Sequence, residues 1–573
     1  MKKIKNILVN KELKNYYIII VIAFFICSLL LIGYPQGQDT VYHISRTVGT
    51  ETALKQGQIL PLISSNFVNG FGYSWNIFYP PLPNYLMMII KLITHSYVKS
   101  LNILIFLTVA ISGMLMYNFM KKVTKSENIG LLGAILYMLA PYRLVDIYIR
   151  GALGEVMAFM FLPLVFHGLY NILECGGKRN YLLTIGAVGL LLSHNISTLL
   201  AVIVCIIYLI FNIKKIFNIK VVKILAINSI FIIGIVLFFY APMLQNKNAT
   251  NYAVFNELKN SGELLHDHSV YTYQLLFGKM QYEWSYSLDN PNSQNLDMCF
   301  AIGLTLMIPV IFTPFVYRKI DSGKRRMYLI TVIMGIFFLI LTTPIIPWNK
   351  LPSVIYFIQY PYRFLLIATF LLSIIAAINI SKSTEKIEIK TIMLYTMIAL
   401  IYITPLLQEA QILKGFNWKE FYEIEYLQEN QRFSKFCATY EYLPSKAYNN
   451  KNYIAKRGNE PILEDGDAEV SNVSRENLSI KFNIDNVTEN SKIELPFIYY
   501  QGYTATINGK KINITESDNG FIQIEIESGQ RGVVNVKYEG TTLYKISMII
   551  SFISIIGLII YIVICEKKYR SNI

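Results

Sequence analysis

Long apolar runs recur along this chain, each about 18–22 residues, the length that crosses a bilayer core. The first, YYIIIVIAFFICSLLLIGY at 16–34, is too long for a signal-peptide core and lacks a small-residue cleavage site, so it reads as a retained span. The pattern places spans at about 15–33, 101–120, 128–142, 150–171, 181–193, 196–213, 220–242, 297–317, 326–344, 362–380, 389–407 and 543–565. The apolar stretch PLPNYLMMIIKLITH at 81–95 reads instead as a helix in the outer interface, within a first external loop at 34–100. The run 181–213 reads as two spans broken at SHN, because irregular backbone at membrane depth is tolerated where it lines a polar cavity.

Between 408 and 542 the pattern changes. After a linker and a short helix, LSIKFNIDNV, YTATINGKKINI, FIQIEIE and GVVNVKYEG alternate apolar and polar positions, with NGK, DNG and SGQRG as turns between them. The expected fold is a polytopic α-helical membrane protein of about 12 spans. Residues 1–407 form the transmembrane module, 408–542 an extracytoplasmic antiparallel β-sandwich, and 543–573 a last span with a cytoplasmic tail.

Charge fixes the orientation. The 573 residues are 54% hydrophobic and 16% charged, with a net charge of +15. That excess does not indicate a nucleic-acid partner, since the polar block 408–542 carries 15 Lys+Arg against 20 Asp+Glu. It sits in the N-terminal tail, at 121–125, 176–180, 214–223, 317–326 and 381–390, and in EKKYR near the end. Twelve spans put all of these inside, with both termini cytoplasmic in a multi-pass cell-membrane protein. The six cysteines (27, 175, 205, 299, 437, 565) are scattered singly, with no metal or disulfide spacing.

This topology gathers unusual polar residues at the outer face. They are Asp39, His43 and Arg46 in GQDTVYHISR, Tyr142, Arg143, Asp146, Arg150 and Glu155 in APYRLVDIYIRGALGE, His194 at the SHN break, HDH at 266–268, and Gln359 and Arg363 in IQYPYRF. Arg143 and Arg150 stand against the positive-inside trend, and an anionic ligand is one reason for such cations. Plain structural roles compete: Asp39 as a helix N-cap, Arg363 snorkelling to headgroups, HDH as an ordinary polar loop.

The acid at the outer end of the first span, the long first external loop and the YPPL step resemble the GT-C glycosyltransferases, as do seven spans before a long loop at 243–295. More closely, GQDTVYHISR, NGFGYSWNIFYPPLPNYL, APYRLVDIYIRGALGE, LLSHNIS, IQYPYRFL and EYLP look like the bacterial membrane proteins labelled 6-pyruvoyl-tetrahydropterin-synthase-related. The C-terminal IYYQGYTATINGKKINI resembles the end of YfhO-type membrane proteins. The label implies no pterin chemistry.

The GT-C resemblance implies a polyprenyl-phosphate sugar donor and an extracytoplasmic cell-envelope acceptor. On that reading Asp39 is the base of an inverting transfer, with His43 orienting it. Arg143, Arg150 and Arg363 bind the donor phosphate, and Arg46, Tyr79, Tyr142, Asp146, Glu155, His194 and Gln359 line the substrate site. Tyr73 and Trp75 are further candidates for stacking on sugar rings. No cofactor is called for. Many GT-C enzymes carry paired acids in the first loop, whereas here Thr40 follows Asp39 and the next acid is Glu51, so a divalent metal is left open. The alternatives are a flippase or transporter of a lipid-linked precursor, and a non-catalytic assembly scaffold. The transporter lacks the inverted repeat it would favour.

Overall fold

The computed structural model describes residues 11–35, 37–277, 300–383, 388–408, 412–413, 440–485 and 488–570. The linker and short helix expected after 408 lie outside the described residues, apart from 412–413.

Helices cover most of each apolar stretch. They run α1 (Lys11–Ile26), α2 (Thr40–Lys55), α3 (Leu82–Thr94), α4 (Tyr97–Thr124), α5 (Glu127–Met138), α6 (Pro141–Val145), α7 (Leu153–Glu174), α8 (Tyr181–Leu191), α9 (Asn195–Phe211) and α10 (Ile219–Ala249). Then come α11 (Ser322–Ile340), α12 (Phe364–Ser383), α13 (Ile389–Gln408) and α14 (Thr542–Arg570). Five of the described helices are long and apolar enough to cross a membrane, or six if the bent pair Glu127–Met138 and Pro141–Arg150 is one span. Several other stretches are shorter than the sequence pattern suggests. The run at 297–317 yields only Leu304–Ile311 and Thr313–Tyr317, with Pro309 and Pro314 in the sequence to interrupt it.

Local signals set the helix ends. Ser96 caps α4 by accepting from the Lys99 N–H at 3.3 Å, and Ser126 caps α5 by accepting from the Ile129 N–H at 3.4 Å. Small residues let the helices approach: a Cβ on Gly168 of α7 would run into the backbone of Leu183 on α8, and one on Gly186 would lie 2.7 Å from the Val165 nitrogen. The α3 helix buries Asn84 and Met87 and leaves Ile89, Leu92 and Ile93 exposed, an apolar face turned away from the protein. Glu51 of α2 fastens it, pairing with Lys91 at 2.7 Å and Lys55 at 2.9 Å and accepting from the Tyr97 hydroxyl at 2.6 Å. The second acid of the first loop is therefore spent on structure.

Among the described residues from 440 onward, nine strands form two antiparallel sheets: β1 (Ile462–Asp465), β2 (Glu469–Glu476), β3 (Ser479–Asp485), β4 (Ser491–Ile498), β5 (Tyr503–Ile507), β6 (Lys510–Ile512), β7 (Ile514–Glu516), β8 (Phe521–Ile526) and β9 (Gly532–Tyr538). One sheet runs β1-β4-β8-β7 and the other β2-β3-β9-β5-β6. Alternation makes one face of each apolar: Ile480 and Phe482 on β3 pair with Val536 and Val534 on β9. A buried pair, Arg457 to Glu494 at 2.9 Å, ties the segment before β1 to β4, with Tyr453, Ser517 and Asn519 donating to the same carboxylate.

The core of this region is not built from strands alone. Leu62, Ile63, Phe67, Phe71, Tyr73, Trp75 and Phe78 from the segment between α2 and α3 share one buried cluster with Leu495, Phe497, Tyr500, Phe521 and Val534. Backbone bonds join them: the Ile498 N–H donates to the Phe71 carbonyl at 3.0 Å. Tyr73 and Trp75 are thus buried packing residues with no exposed ring face for stacking, and Tyr500 and Tyr503 belong to the same core. Cysteines introduced at Ile59 and Asp518 should be labelled from outside intact cells, and at Phe217 and Lys324 only after permeabilisation. All four positions are exposed. Labelling of Lys324→Cys from outside would overturn the orientation read from the basic loops.

Candidate active site

The site starts with a close approach of two backbones. Gly37, just before α2, lies against Gly151, which ends the turn Asp146–Arg150 with a φ of +63°. A Cβ on Gly37 would sit 2.5 Å from both the Gly151 Cα and its nitrogen. This contact lets the Gln38 N–H donate to the Ile149 carbonyl at 3.1 Å and the Asp39 N–H to the Arg150 carbonyl at 2.8 Å. Asp39 stands at the N-cap position of α2, but its side chain makes no capping bond. The carboxylate is left for another use.

The segment 146–150 is a single π-helical turn, a local widening that often marks functional sites. It brings Arg150 against two acids. Its Nη1 donates to Asp146, to Glu155 at 2.7 Å and to the Tyr142 hydroxyl at 3.3 Å, and Tyr142 in turn donates to Glu155 at 2.6 Å. Every member is buried. A buried guanidinium between two carboxylates is held firmly, because removing one partner leaves an uncompensated charge.

A third element comes from 358–363. Gln359 has φ +67° and ψ −50°, and the Tyr360 N–H reaches back to the Ile358 carbonyl at 2.8 Å. That is a γ-turn with positive φ, a strained conformation for a residue with a side chain. The Gln359 contribution is thus a backbone one. The turn launches a stack in which Tyr360 and Tyr362 lie parallel at 5.1 Å and Tyr362 lies on Phe300 at 3.7 Å. Arg150 sits over Tyr362 at 5.1 Å, Arg363 over Tyr360 at 5.4 Å, and His268 packs on Tyr360 at 5.0 Å. Arg363 is buried, and its Nε and Nη1 have no hydrogen-bond partner among the described residues.

The fourth wall is Tyr79 with His194. The Asn195 side chain donates to the Phe78 carbonyl at 3.0 Å and the Leu82 N–H to the Leu192 carbonyl at 2.9 Å, so the YPPL step docks on the SHN break. His194 caps α9, its Nδ1 accepting from the Ser197 N–H at 3.3 Å. Gly154 closes the corner, since a Cβ there would lie 3.1 Å from the Tyr79 hydroxyl and 3.3 Å from the His194 ring. Arg46 lies 4.0 Å from the Tyr79 ring centre and donates to the Tyr79 and Pro80 carbonyls. It positions the wall.

Burial pushes the Asp39 carboxyl above the usual carboxylate range; Arg150 and then Arg363 pull it back, and Glu155 pushes it further up. The Asp39 N–H, bonded to the Arg150 carbonyl at 2.8 Å, keeps the residue beside Arg150. Burial also holds His43 well below its ordinary range, with Arg46 and His194 adding to the effect.

Two expectations change here. His43 does not hydrogen-bond to Asp39: among the described residues both its ring nitrogens are without partners, and the ring packs edge-on against Tyr42 and Tyr79, each at 5.7 Å. Arg143 is not brought to the group. The bend at α6 turns it inward, between Tyr137 at 5.6 Å and Phe159 at 5.1 Å, with one contact to the Thr108 carbonyl at 3.5 Å. Gly37, Gly151, Gly154 and Phe300 join the site without polar side chains to announce them; the paired glycines of RGALGE are a sequence signal for Gly151 and Gly154, and Gly37 stands two residues before Asp39. Among the described residues no three His, Cys, Asp or Glu side chains gather closely enough to hold a metal ion, so the residues present do not form a divalent-metal cage. Between Asp146 and Glu155 the cation is Arg150 itself.

Residues 77–411 match the family described as the 6-pyruvoyl-tetrahydropterin synthase related domain, a membrane protein family. The chain belongs to this family. A relative in Lactococcus lactis subsp. cremoris (strain MG1363), described as an uncharacterized protein, is 26% identical over 601 residues, covering 96% of this chain and 95% of its own. Among solved structures, the arabinofuranosyltransferase AftD from Mycobacteria aligns with a TM-score of 0.41 at 13% identity, over 69% of this chain and 27% of its own. The archaeal oligosaccharyltransferase AglB from Archaeoglobus fulgidus, in complex with an inhibitory peptide and a dolichol-phosphate, aligns with a TM-score of 0.36 at 12% identity, over 73% and 59%. The chain thus spans between about a quarter and three-fifths of these solved chains.

The part matched to the pterin-synthase-related family holds Tyr79, Tyr142, Asp146, Arg150, Glu155, His194, Gln359 and Arg363, while Asp39, His43 and Arg46 precede it. The glycine contact joins the two parts. Gly37→Val should therefore destabilise the protein by about 1–3 kcal/mol, the usual cost of overpacking. Gly323→Ala, with open space around it, should stay within about 0.5 kcal/mol. Thermal unfolding in detergent checks both, and equal stability would remove the contact as a constraint.

Proposed function

We propose that this protein is a GT-C-type membrane glycosyltransferase that moves a sugar from a polyprenyl-phosphate donor to an extracytoplasmic cell-envelope acceptor. On this reading it has about twelve spans, both termini are cytoplasmic, and the two sheets act as a β-sandwich that guides the acceptor. The observation that carries the reading is the Asp39 carboxylate, uncapped and backbone-anchored beside Arg150, with the unpartnered Nε and Nη1 of Arg363 in the same group.

The chemistry follows from those groups. The acceptor hydroxyl attacks the anomeric carbon; its proton passes to Asp39 as the new C–O bond forms. The bond from that carbon to the phosphate oxygen breaks on the opposite side, which inverts the centre. The leaving phosphate takes the electron pair, and Arg363 stabilises its charge through forked, charge-assisted bonds. Arg150, engaged by Asp146 and Glu155, holds the site's shape and contributes field, not a direct contact. Tyr79, Tyr360 and His194 form walls for the sugar. The transporter reading needs ionisable groups along a path through the membrane, whereas the cluster described here draws on one end of the helices.

Asp39→Asn should abolish transfer while the protein folds and inserts; normal turnover in this variant would remove Asp39 as the base. Because the base works deprotonated, the wild-type rate should fall as pH drops through the raised pKa of Asp39, above the ordinary carboxylate value of about 4. Arg363→Gln removes an influence that lowers that pKa, so the acid limb should move to higher pH. An unmoved limb would place the two groups apart.

The two arginines should also separate. Arg363→Gln should weaken donor binding about ten- to hundredfold, the worth of a charge-assisted contact, with little loss of stability. Arg150→Gln leaves Asp146 and Glu155 unpaired and should cost about 3–5 kcal/mol of stability. Donor binding measured on both variants decides; unchanged binding in Arg363→Gln would reject it as the phosphate ligand.

A further inference from the structure

A cavity of about 350 Å³ lies at the opposite ends of the helices from Asp39. The α12 helix connects the two regions: it starts beside Arg363, and Lys382, its penultimate residue, lines the cavity. At 1.5 Å per residue, Phe364 and Lys382 are roughly 27 Å apart, close to the thickness of a bilayer core. The α4 and α7 helices run the same way, with Phe119 and Glu174 at their cavity ends.

The walls and the mouth differ in chemistry. The interior is apolar, faced by Phe166, Val204, Met334, Phe370, Ile374 and Ile375. Two of the polar side chains in its wall are already satisfied: the Tyr328 hydroxyl donates to Asn379, and the Thr331 hydroxyl to the Met327 carbonyl. At the mouth stand Lys215, Lys324 and Lys382 with the acids Glu174 and Asp321. Lys215 is paired with Glu174. Lys319 adds charge beside the mouth, donating to the Lys382 carbonyl at 3.1 Å, and exposed Arg318 and Arg326 flank it. The rim is therefore basic, over an apolar slot lined by α4, α7, α9, α11 and α12.

We propose that this cavity binds an anionic phospholipid of the leaflet opposite Asp39, with its phosphate between Lys324 and Lys382 and one acyl chain along the apolar wall. Basic pockets between membrane helices recognise anionic headgroups in this way, and the volume falls in the range of small-molecule sites. A free phosphate or sugar phosphate would use the lysines but leave the apolar slot without an occupant. The slot is separate from the Asp39 group, and the proposal stands whether or not that group transfers sugar.

Native mass spectrometry of the full-length detergent-solubilised protein tests it, with dioleoyl phosphatidylglycerol against dioleoyl phosphatidylcholine. Phosphatidylglycerol should be retained about tenfold better, and Lys324→Glu with Lys382→Glu should erase that preference. Thr331→Trp, which narrows the slot and leaves the lysines, should also weaken retention; it serves as the second variant if the charge reversal does not fold. Millimolar inorganic phosphate should not compete. Equal retention of the two lipids, an unchanged preference in both variants, or displacement by inorganic phosphate would each overturn the proposal.

Discussion

The site depends on two glycines that touch. Gly37 and Gly151 come from the segment between α1 and α2 and from the turn after α6, and neither has room for a side chain. Their contact brings the chain close enough for the Gln38 and Asp39 N–H groups to bond the Ile149 and Arg150 carbonyls. Backbone bonds of this kind fix position without using side chains. The Asp39 carboxylate is thereby delivered to the acid–arginine cluster yet stays uncommitted. A larger residue at either position would lift α2 away and dissolve the group.

The rest of the site is rigid for a related reason. Its charges are buried, and buried charges persist only when paired or stacked. Arg150 is held by two carboxylates and the ring of Tyr362, while Arg363 has a ring contact and the electrostatic influence of Asp39. Two arginines that look alike in sequence therefore have different freedom. The strained turn at Gln359 belongs to the same logic: strain survives where packing on both sides, here the Tyr360–Tyr362–Phe300 stack, overdetermines it.

Much of this was legible in the sequence, and the limits are instructive. Apolar run length located the helices to within a few residues, as for Tyr97–Thr124 and Phe364–Ser383, because burial in lipid or protein rewards the same residues. It did not distinguish a span from a shorter packed helix; Tyr181–Leu191 is apolar but only 11 residues long. Strand alternation marked the sheets, since one face of each is buried. It did not reveal that Phe67, Phe71 and Trp75 of a distant loop complete their core. The polar residues expected together at one end of the helices largely gather, with Arg143 apart. Their individual placement was hidden, because a bend at α6 sends Arg143 inward and a π-turn sends Arg150 to the acids, and neither has a sequence signature. His43 shows the same limit: four residues after Asp39 it shares a helix, yet its ring turns to Tyr42 and Tyr79.

We propose that Asp39 and Arg363 act on opposite sides of one anomeric carbon, Asp39 on the incoming hydroxyl and Arg363 on the leaving phosphate. A structure of the protein with a bound, non-hydrolysable polyprenyl-phosphate sugar analogue tests it most directly. The account predicts the phosphate within hydrogen-bond distance of the Arg363 Nε and Nη1, with the Asp39 carboxylate facing the opposite side of the anomeric carbon. A phosphate bound elsewhere, with Arg363 still without a partner, would contradict it.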